Sequence, residues 1–278
     1  MGGGIERKTP EQILVMRQAG LVVARTLAAL RDAAAVGTST GELDRLAREL
    51  LAQHGATSSF LNYGAGWGIQ PFPAVTCISV NDEIVHGIPG DRVLADGDLV
   101  SVDFGAIIDG WHGDSALSFI VGEPRAADVE LSEATRQAMW RGIAAAGPAG
   151  RIGDISAAIE GFVMSRPRRY GIVREFTGHG IGSAMHQAPD VPNHGKRGRG
   201  PMIVEGMCLA IEPMLTLGGE ATVTLDDDWT VATRDRSRAC HWEHSIAITR
   251  AGLWVLTAED GGEAELTALG AAFGPLSD

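Results

Sequence analysis

Three acidic residues of this 278-residue chain stand in otherwise apolar segments. Asp103 ends a run of mostly apolar residues, Glu212 follows Cys-Leu-Ala-Ile, and Glu243 leads into Ile-Ala-Ile, which begins three residues later. An isolated ionised carboxylate in such a segment costs several kcal/mol unless a cation or a hydrogen-bond donor meets it. One such acid is often paired with a distant arginine, but three together favour a shared cation.

Two further residues complete a possible metal site. Asp114 follows Trp-His-Gly, and His179 stands in Gly-His-Gly-Ile-Gly, where the backbone can approach a ligand closely. Each alone could be an ordinary turn aspartate or a hydrogen-bonded core histidine. Four carboxylates with one histidine suit two divalent ions bridged by carboxylates. Such a pair of ions activates water and polarises a carbonyl oxygen, so the pattern indicates a hydrolase.

Apolar periodicity and turn residues predict the elements that position these groups. The predicted helices run from Pro10 to near Gly37, from Thr40 to the His54-Gly55 pair, from about Val129 to Ala146, and from Asp154 to about Ser165. The predicted strands are Val75 to Val80, Leu99 to Ile108 and Ala116 to Val121, with Asp109-Gly110 as a hairpin turn.

The second half of the chain repeats the order of the first. His86-Gly87-Ile88 is echoed by His179-Gly180-Ile181, and the segment from Gly97 to Asp103 is echoed by Gly206 to Glu212. If these short echoes are not chance, they predict one α+β domain of two similar halves whose carboxylates meet centrally. We predict a short N-terminal segment at 1–9, a single catalytic domain at 10–257 and a loosely packed tail at 258–278.

Composition limits the partners and the compartment. The formal net charge of −12 argues against non-specific binding to nucleic acid or anionic membranes. The nearest basic stretch, residues 195–200, is expected to be a solvated loop. Cys77, Cys208 and Cys240 form no Cys-x-x-Cys pair, so neither disulfides nor a zinc knuckle is predicted. No secretory signal or long apolar span is recognised, and we expect a soluble, unanchored cytoplasmic protein.

Five segments together resemble the type I methionine aminopeptidases of peptidase family M24. The segments are Val102-Asp103-Phe-Gly, His112-Gly-Asp114, Gly178-His-Gly-Ile-Gly182, Ile211-Glu-Pro-Met214 and Glu243-His-Ser-Ile-Ala-Ile-Thr249. Their order and spacing agree, and the resemblance covers about Lys8 to Thr257. It implies the pita-bread fold and removal of the initiator methionine from nascent proteins when the second residue is small.

The resemblance also implies a role for each predicted ligand. Asp103 and Asp114 would hold one divalent ion, His179 and Glu212 the other, and Asp114 and Glu243 would bridge both. Glu212 would in addition be the general base that takes a proton from the attacking water. The two ions would be Co, Mn, Fe, Zn or Ni, and the residue types do not choose among them.

Other residues match substrate-binding positions of the same enzymes. His86 and His186 match the two histidines that contact the substrate near the scissile nitrogen and the carbonyl oxygen. Donors placed there stabilise the developing negative charge. Five residues would line an apolar pocket for the methionine side chain: Cys77, Trp229, Ile69, Phe72 and Met185.

The chain departs from the usual pattern next to one ligand. Phe104-Gly105 follows Asp103, where many relatives have a small or β-branched residue and then threonine, so metal affinity could change. No zinc-finger extension precedes the matched region, which suggests a short bacterial-type enzyme. The expected partners are nascent N-termini that begin with methionine, with a transient ribosome contact, and the expected state is a monomer.

Two alternatives stay open at this level. An Xaa-Pro aminopeptidase or prolidase shares the five-ligand scheme but usually adds an N-terminal domain and more histidines. A binding protein could keep the fold without catalysis, although such proteins normally lose metal ligands first. A type II methionine aminopeptidase is not expected, because the short spacing between His179 and Glu212 leaves no room for its inserted subdomain.

Overall fold

The computed structural model describes residues 4–276, so the outer ends of the predicted N-terminal segment and tail lie outside the described residues. The helices are α1 Pro10–Ala33, α2 Thr40–Gln53, α3 Ala126–Ala144, α4 Ile152–Met164 and α5 Glu263–Ala268. The strands are β1 Thr57–Ser58, β2 Thr76–Val80, β3 Glu83–Val85, β4 Leu99–Ile108, β5 Trp111–Ile120, β6 Gly171–Ile172, β7 Gly178–Gly180, β8 Gln187–Val191, β9 Cys208–Ile211, β10 Met214–Thr216, β11 Thr222–Thr224, β12 Val231–Thr233, β13 Ala239–His241, β14 Glu243–Ile248 and β15 Leu253–Val255.

Capping boxes fix the starts of α1 and α2 where the sequence predicts them. Thr9 accepts a hydrogen bond from the Gln12 backbone, and the Gln12 side chain accepts one from the Thr9 backbone. Ser39 and Glu42 make the same reciprocal pair at the start of α2. These bonds satisfy N–H groups that a helix start otherwise leaves unpaired.

Several helix boundaries differ from the prediction, including the end of α3 at Ala144 rather than Ala146. Helix α1 ends at Ala33 rather than near Gly37, because the Gly37 N–H donates to the carbonyl of Leu94 instead of continuing the helix. Helix α3 begins at Ala126, before the predicted Val129. Helix α4 begins two residues before Asp154, whose carboxylate accepts from the Arg151 N–H at 2.7 Å and so caps the helix from its first turn.

The hairpin predicted at Asp109-Gly110 is confirmed. Strands β4 and β5 pair along ten residues, from Leu99 opposite Ile120 to Ile108 opposite Trp111. Strand β5 therefore starts at Trp111, five residues before the predicted Ala116. Its first residues, several of them polar, are part of the strand because they pair with β4. This long hairpin carries two of the predicted metal ligands.

One nine-stranded sheet joins the two halves of the chain. Its main path is β1-β4-β5-β14-β9-β7-β8, and the halves meet where β5 pairs with β14. Helices α1 and α2 cover the first half through one apolar cluster, and α3 and α4 cover the second through another. Gly97 and Gly206, both with positive φ, precede β4 and β9 at matching positions. The predicted α+β architecture of two similar halves is confirmed.

Helix α1 lies unusually close to the structure beneath it. A Cβ atom on Gly20 would come within 2.2 Å of the Leu256 carbonyl oxygen, and one on Gly113 of β5 within 2.7 Å of the Gly20 nitrogen. Among residues 4–276, α1 alone is long and apolar enough to cross a membrane by length and composition, and half of the window that passes this test is buried. Its fully buried Met16 and Leu30 identify the buried side of a core helix.

The loose packing expected after Ala258 is wrong. Leu266 of α5 is fully buried in the same cluster as α3 and α4. Leu253 donates to the Ala272 carbonyl and accepts from Gly274, which ties the C-terminal segment to β15. The composition, rich in Gly, Ala and Glu, did not indicate that Leu266, Leu269 and Phe273 pack against this cluster.

The close approach of α1 predicts opposite effects of two Gly-to-Ala substitutions. Gly20→Ala should lower the free energy of unfolding by about 1–3 kcal/mol, because the new methyl overlaps a backbone carbonyl that cannot move freely. Gly161→Ala, in α4 where nothing lies within 4 Å of the added carbon, should raise it by about 0.5–1 kcal/mol. Urea unfolding of both variants measures the difference, and equal effects would show that α1 does not pack as described.

Candidate metal centre and substrate cavity

Strand register places three of the predicted ligands on one face of the sheet. Asp103 of β4 lies opposite Ala116 of β5, and Glu243 of β14 lies opposite the same alanine from the other side. Asp114 precedes Ala116 by two residues in β5. Paired residues and residues two apart share a face of a sheet, so these three carboxylates point to the same side.

The same argument adds the two ligands from the second half. Ile211 pairs with His244, which places the next residue, Glu212, beside Glu243. His179 of β7 pairs with Ala210, two residues before Glu212, and so shares its face. All five predicted ligands therefore come together on one face, four of them from the strands β4, β5, β7 and β14 and Glu212 from the residue after a fifth strand, β9.

Hydrogen bonds fix the backbone beneath these carboxylates. The Ser245 hydroxyl donates to the Asp114 carbonyl at 2.7 Å, and the Ser115 hydroxyl donates to the Glu243 carbonyl at 2.5 Å. The Asn193 amide donates to the Glu212 carbonyl at 3.1 Å. These contacts join the strands of both halves directly below the site.

The carboxylates are buried without enough partners of their own. Asp103 Oδ1, Asp114 Oδ1 and Glu243 Oε1 are buried and have no hydrogen-bond partner. None of the described residues that line the cavity beside them is lysine or arginine. Buried carboxylates of this kind require protons or cations, so the donor set fits divalent ions.

Burial raises the pKa of all four carboxyl groups. Burial raises the pKa of Asp114 to about 7. It holds the pKa values of Asp103, Glu212 and Glu243 well above the usual range, and the charges of the neighbouring carboxylates add to this. The site thus retains protons near neutral pH until a cation takes their place.

Two groups of donor atoms lie close enough to hold an ion. One consists of Asp114, His179 and Glu243, and the other of Glu212, His241 and Glu243, with the donor atoms of each within 4.8 Å of one another. Glu243 belongs to both, as expected of a bridging ligand. Asp103 lies outside both groups, although its face and its unpartnered oxygen agree with the predicted role.

His241 is a residue that the sequence interpretation missed. Burial lowers the pKa values of His179 and His241 to about 3, so both imidazoles are neutral and keep a lone pair for a cation. The available signal was position, because His241 precedes Glu243 by two residues and alternation can bring such residues to one side.

A cavity of about 300 Å³ opens beside the metal-binding residues. It is lined by eleven of the twelve predicted site residues: Phe72, Cys77, His86, Asp103, Asp114, His179, Met185, His186, Glu212, Trp229 and Glu243. Ile69 is the exception, because it packs against the aromatic cluster but does not line the cavity. Other lining residues, which the sequence did not indicate, include Phe60, Tyr63, Trp67, Phe176, Met214 and His241.

Aromatic rings form another part of the cavity lining. Trp229 meets Phe72 edge to face with ring centroids 5.3 Å apart, and Trp67 stacks on its other side at 6.2 Å. The Trp229 indole N–H donates to the Gln70 carbonyl at 2.8 Å, which fixes the ring. Cys77 is buried in the same cluster. The cavity thus has one apolar wall and one anionic wall.

His86 and His186 lie at the edge of this cavity. The His186 ring is 4.2 Å from that of His179 between centroids, and its Nδ1 is 2.7 Å from the Tyr63 hydroxyl. Burial lowers the pKa of His86 to about 4 and also lowers that of His186. Both rings are therefore neutral near pH 7 and can each donate one hydrogen bond.

The unusual Phe104-Gly105 pair has a packing explanation. Phe104 is fully buried in the cluster beneath α1 and α2. Gly105 lies opposite Asp114, and a Cβ atom there would come within 2.8 Å of Ser59. The segment that leads into Phe60 of the cavity wall thus occupies the space of a side chain at 105. An effect of this pair on metal affinity stays a prediction.

The fold and the site define a metal-dependent hydrolase. The sequence profile described as metallopeptidase family M24 matches residues 15–250. The chain belongs to metallopeptidase family M24.

Within that family, relatives that match over almost their whole length include methionine aminopeptidases. Methionine aminopeptidase 1 of Mycobacterium tuberculosis is 49% identical over 258 residues, which are 91% of this chain and 95% of the relative. The crystal structure of methionine aminopeptidase from Thermotoga maritima has a TM-score of 0.88 at 38% identity, covering 92% of this chain and 100% of that one.

More distant structures share the fold. The prolidase from Pyrococcus furiosus has a TM-score of 0.71 at 20% identity, and the match covers 91% of this chain but 65% of the prolidase. This likeness agrees with the pita-bread fold predicted from the motifs.

The raised carboxyl pKa values predict that metal binding releases protons. A divalent ion added to chelator-treated protein should displace protons held by the four carboxyl groups, and its affinity should rise with pH. The number released should fall as pH rises through about 7, where Asp114 titrates. Calorimetry in buffers of different ionisation enthalpy, at pH values of about 6, 7 and 8, measures this number.

A matched pair of variants locates the released protons. Asp114→Asn should reduce the number released near neutral pH, whereas Asp32→Asn, at an exposed position in α1, should leave it unchanged. Binding without proton release at any of these pH values would contradict the protonation described for the site.

Proposed function

We propose that this chain is an aminopeptidase that removes the initiator methionine from new polypeptides when the second residue is small. The proposal rests on one observation: buried carboxylates that require cations lie beside a small cavity lined with aromatic rings. Full-length similarity to methionine aminopeptidases supports the same substrate.

Five residues are proposed to hold two divalent ions: Asp103, Asp114, His179, Glu212 and Glu243. The ions are Co, Mn, Fe, Zn or Ni. When bound, such ions supply an activated water and polarise the scissile carbonyl. The presence of Glu243 in both groups of donor atoms supports its role as a bridge.

The apolar wall is proposed to select methionine. A thioether makes favourable contacts with aromatic rings, and Phe72 and Trp229 present such rings beside Cys77 and Met185. A cavity of about 300 Å³ accepts one side chain of this size. The rest of the polypeptide leaves through the open side, where Trp67 and His186 are exposed.

Proton transfer is assigned to Glu212. Its raised pKa brings the carboxyl group closer to neutrality, where a general base both accepts and returns a proton efficiently. His86 and His186, both neutral, orient the substrate by donating hydrogen bonds near the scissile nitrogen and the carbonyl oxygen. When the Tyr63 hydroxyl donates to His186 Nδ1, the other ring nitrogen is left as the donor.

The proposed function also indicates the compartment, the oligomeric state and the partners of the enzyme. We propose that the enzyme acts as a monomer in the cytoplasm on emerging N-termini, with transient contact to the ribosome. Residues 196–200 of the basic stretch noted in the sequence are exposed beside the start of α4. An Xaa-Pro peptidase remains the second candidate for the fold, but the full-length relatives do not favour it.

Release of methionine from short peptides tests the proposal. The metal-reconstituted protein should cleave Met-Ala-Ser but neither Met-Lys-Ser nor Xaa-Pro peptides. Glu212→Gln should lower kcat for Met-Ala-Ser by about 10²–10⁴-fold, because the general base is lost. Glu49→Gln, at an exposed position in α2, should retain the original rate.

Each contrary result has a separate meaning. Cleavage of Xaa-Pro peptides in place of Met-Ala-Ser would favour the prolidase alternative. If all peptides survive although ions are bound, the catalytic proposal fails and a binding function takes its place. A Glu212→Gln variant with full activity would remove Glu212 from the proton transfer.

A further inference from the structure

His241 stands inside the metal-binding region without a partner of its own. The residue ends β13, is 2% exposed and lines the cavity, and its Nε2 atom has no hydrogen-bond partner. Buried polar atoms in proteins are almost always hydrogen-bonded, so such an atom requires an explanation. Its neighbours are the carboxylates of Glu212 and Glu243.

The distances to these carboxylates are those of ligands around a common ion. His241 Nε2 is 3.7 Å from Glu212 Oε2 and 3.9 Å from Glu243 Oε2, which is too far for hydrogen bonds. Two atoms that each lie about 2.0–2.2 Å from one ion are roughly 3–4 Å apart. His179 Nε2, a predicted ligand, lies at the similar distance of 3.4 Å from Glu212 Oε1.

Glu212 therefore has one imidazole beside each of its oxygens. His179 faces Oε1 and His241 faces Oε2, from strands of two different sheets. A side chain kept only for core packing would need neither a free nitrogen nor a place in the cavity wall. The position of His241 thus mirrors that of a histidine whose ligand role is already expected.

The backbone of His241 is held firmly enough to present a ligand. Its N–H donates to the hydroxyls of Ser101 and Ser118 at 3.2 and 3.3 Å, and the Ser118 hydroxyl donates to its carbonyl at 2.7 Å. Strand pairing with Met214 of β10 fixes the other side. Ligands held in this way keep their geometry when no ion is bound.

We infer that His241 is an additional imidazole ligand of the ion held by Glu212 and Glu243. The inference rests on the proposed function for the presence of the ions, and on the positions of the three donor atoms for the role of His241. A second imidazole makes the donor set softer. It should favour zinc, cobalt, nickel or iron over manganese more strongly than carboxylates with one histidine do.

Counting imidazoles around the bound ions tests this inference without reference to activity. X-ray absorption of the protein loaded with two Co(II) or Zn(II) ions should show two imidazoles per two ions, His179 and His241. In His241→Gln one of them should be lost, and the affinity for the ion held by Glu212 and Glu243 should fall by about 10–100-fold. His54→Gln, at an exposed position after α2, is the matched control and should change neither value.

The outcomes separate this inference from the proposed function. One imidazole per two ions in the wild-type protein would overturn the assignment of His241 as a ligand. This measurement does not depend on the folding of any variant. An unchanged imidazole count and affinity in folded His241→Gln would overturn it equally. If the imidazole count is two but Met-Ala-Ser is not cleaved, the ligand assignment stands and the aminopeptidase proposal fails.

Discussion

Four carboxyl groups of like charge share one buried face of the sheet, and no cationic side chain lines the described cavity beside them. Water would solvate these groups far better than the protein interior does, so the fold bears a free-energy cost that only protons or cations relieve. The strand register brings the groups together despite this cost. The surrounding structure serves to keep them there until ions bind.

The duplicated architecture explains how such an arrangement is held. Each half contributes a sheet segment covered by its own helices, so each brings its carboxylates to the seam on a rigid support. Ser115 and Ser245 bond across the β5–β14 seam itself. The apolar clusters away from the site stabilise the fold. This stability offsets the free-energy cost of keeping buried carboxyl groups close together. This division is common where function demands unfavourable groups.

The groups for chemistry and for selectivity line the same cavity. The anionic wall would hold the cations, and the aromatic wall built around Trp229 would receive an apolar side chain. The neutral histidines between the walls can donate hydrogen bonds without adding charge. An N-terminal residue with an uncharged, flexible side chain fits this contrast, because its amine meets the anionic side while its side chain meets the rings.

The sequence predicted what depends on local signals. Capping residues placed the starts of α1 and α2, and the Asp109-Gly110 turn placed the β4–β5 hairpin. Five carboxylate and imidazole residues were recognisable because apolar segments made them conspicuous. His241 and Tyr63 were not, since their importance comes from contacts between segments far apart in the chain. Leu266 shows the same limit, because it is fully buried in a segment whose composition suggests little packing.

Diffraction from crystals grown with manganese or cobalt, recorded at the absorption edge of the metal, tests the central claim most directly. The account predicts two anomalous peaks in contact with Asp103, Asp114, His179, Glu212 and Glu243, with Glu243 touching both. Absence of peaks at this face, with the carboxyl groups protonated and hydrogen-bonded to one another, would contradict it.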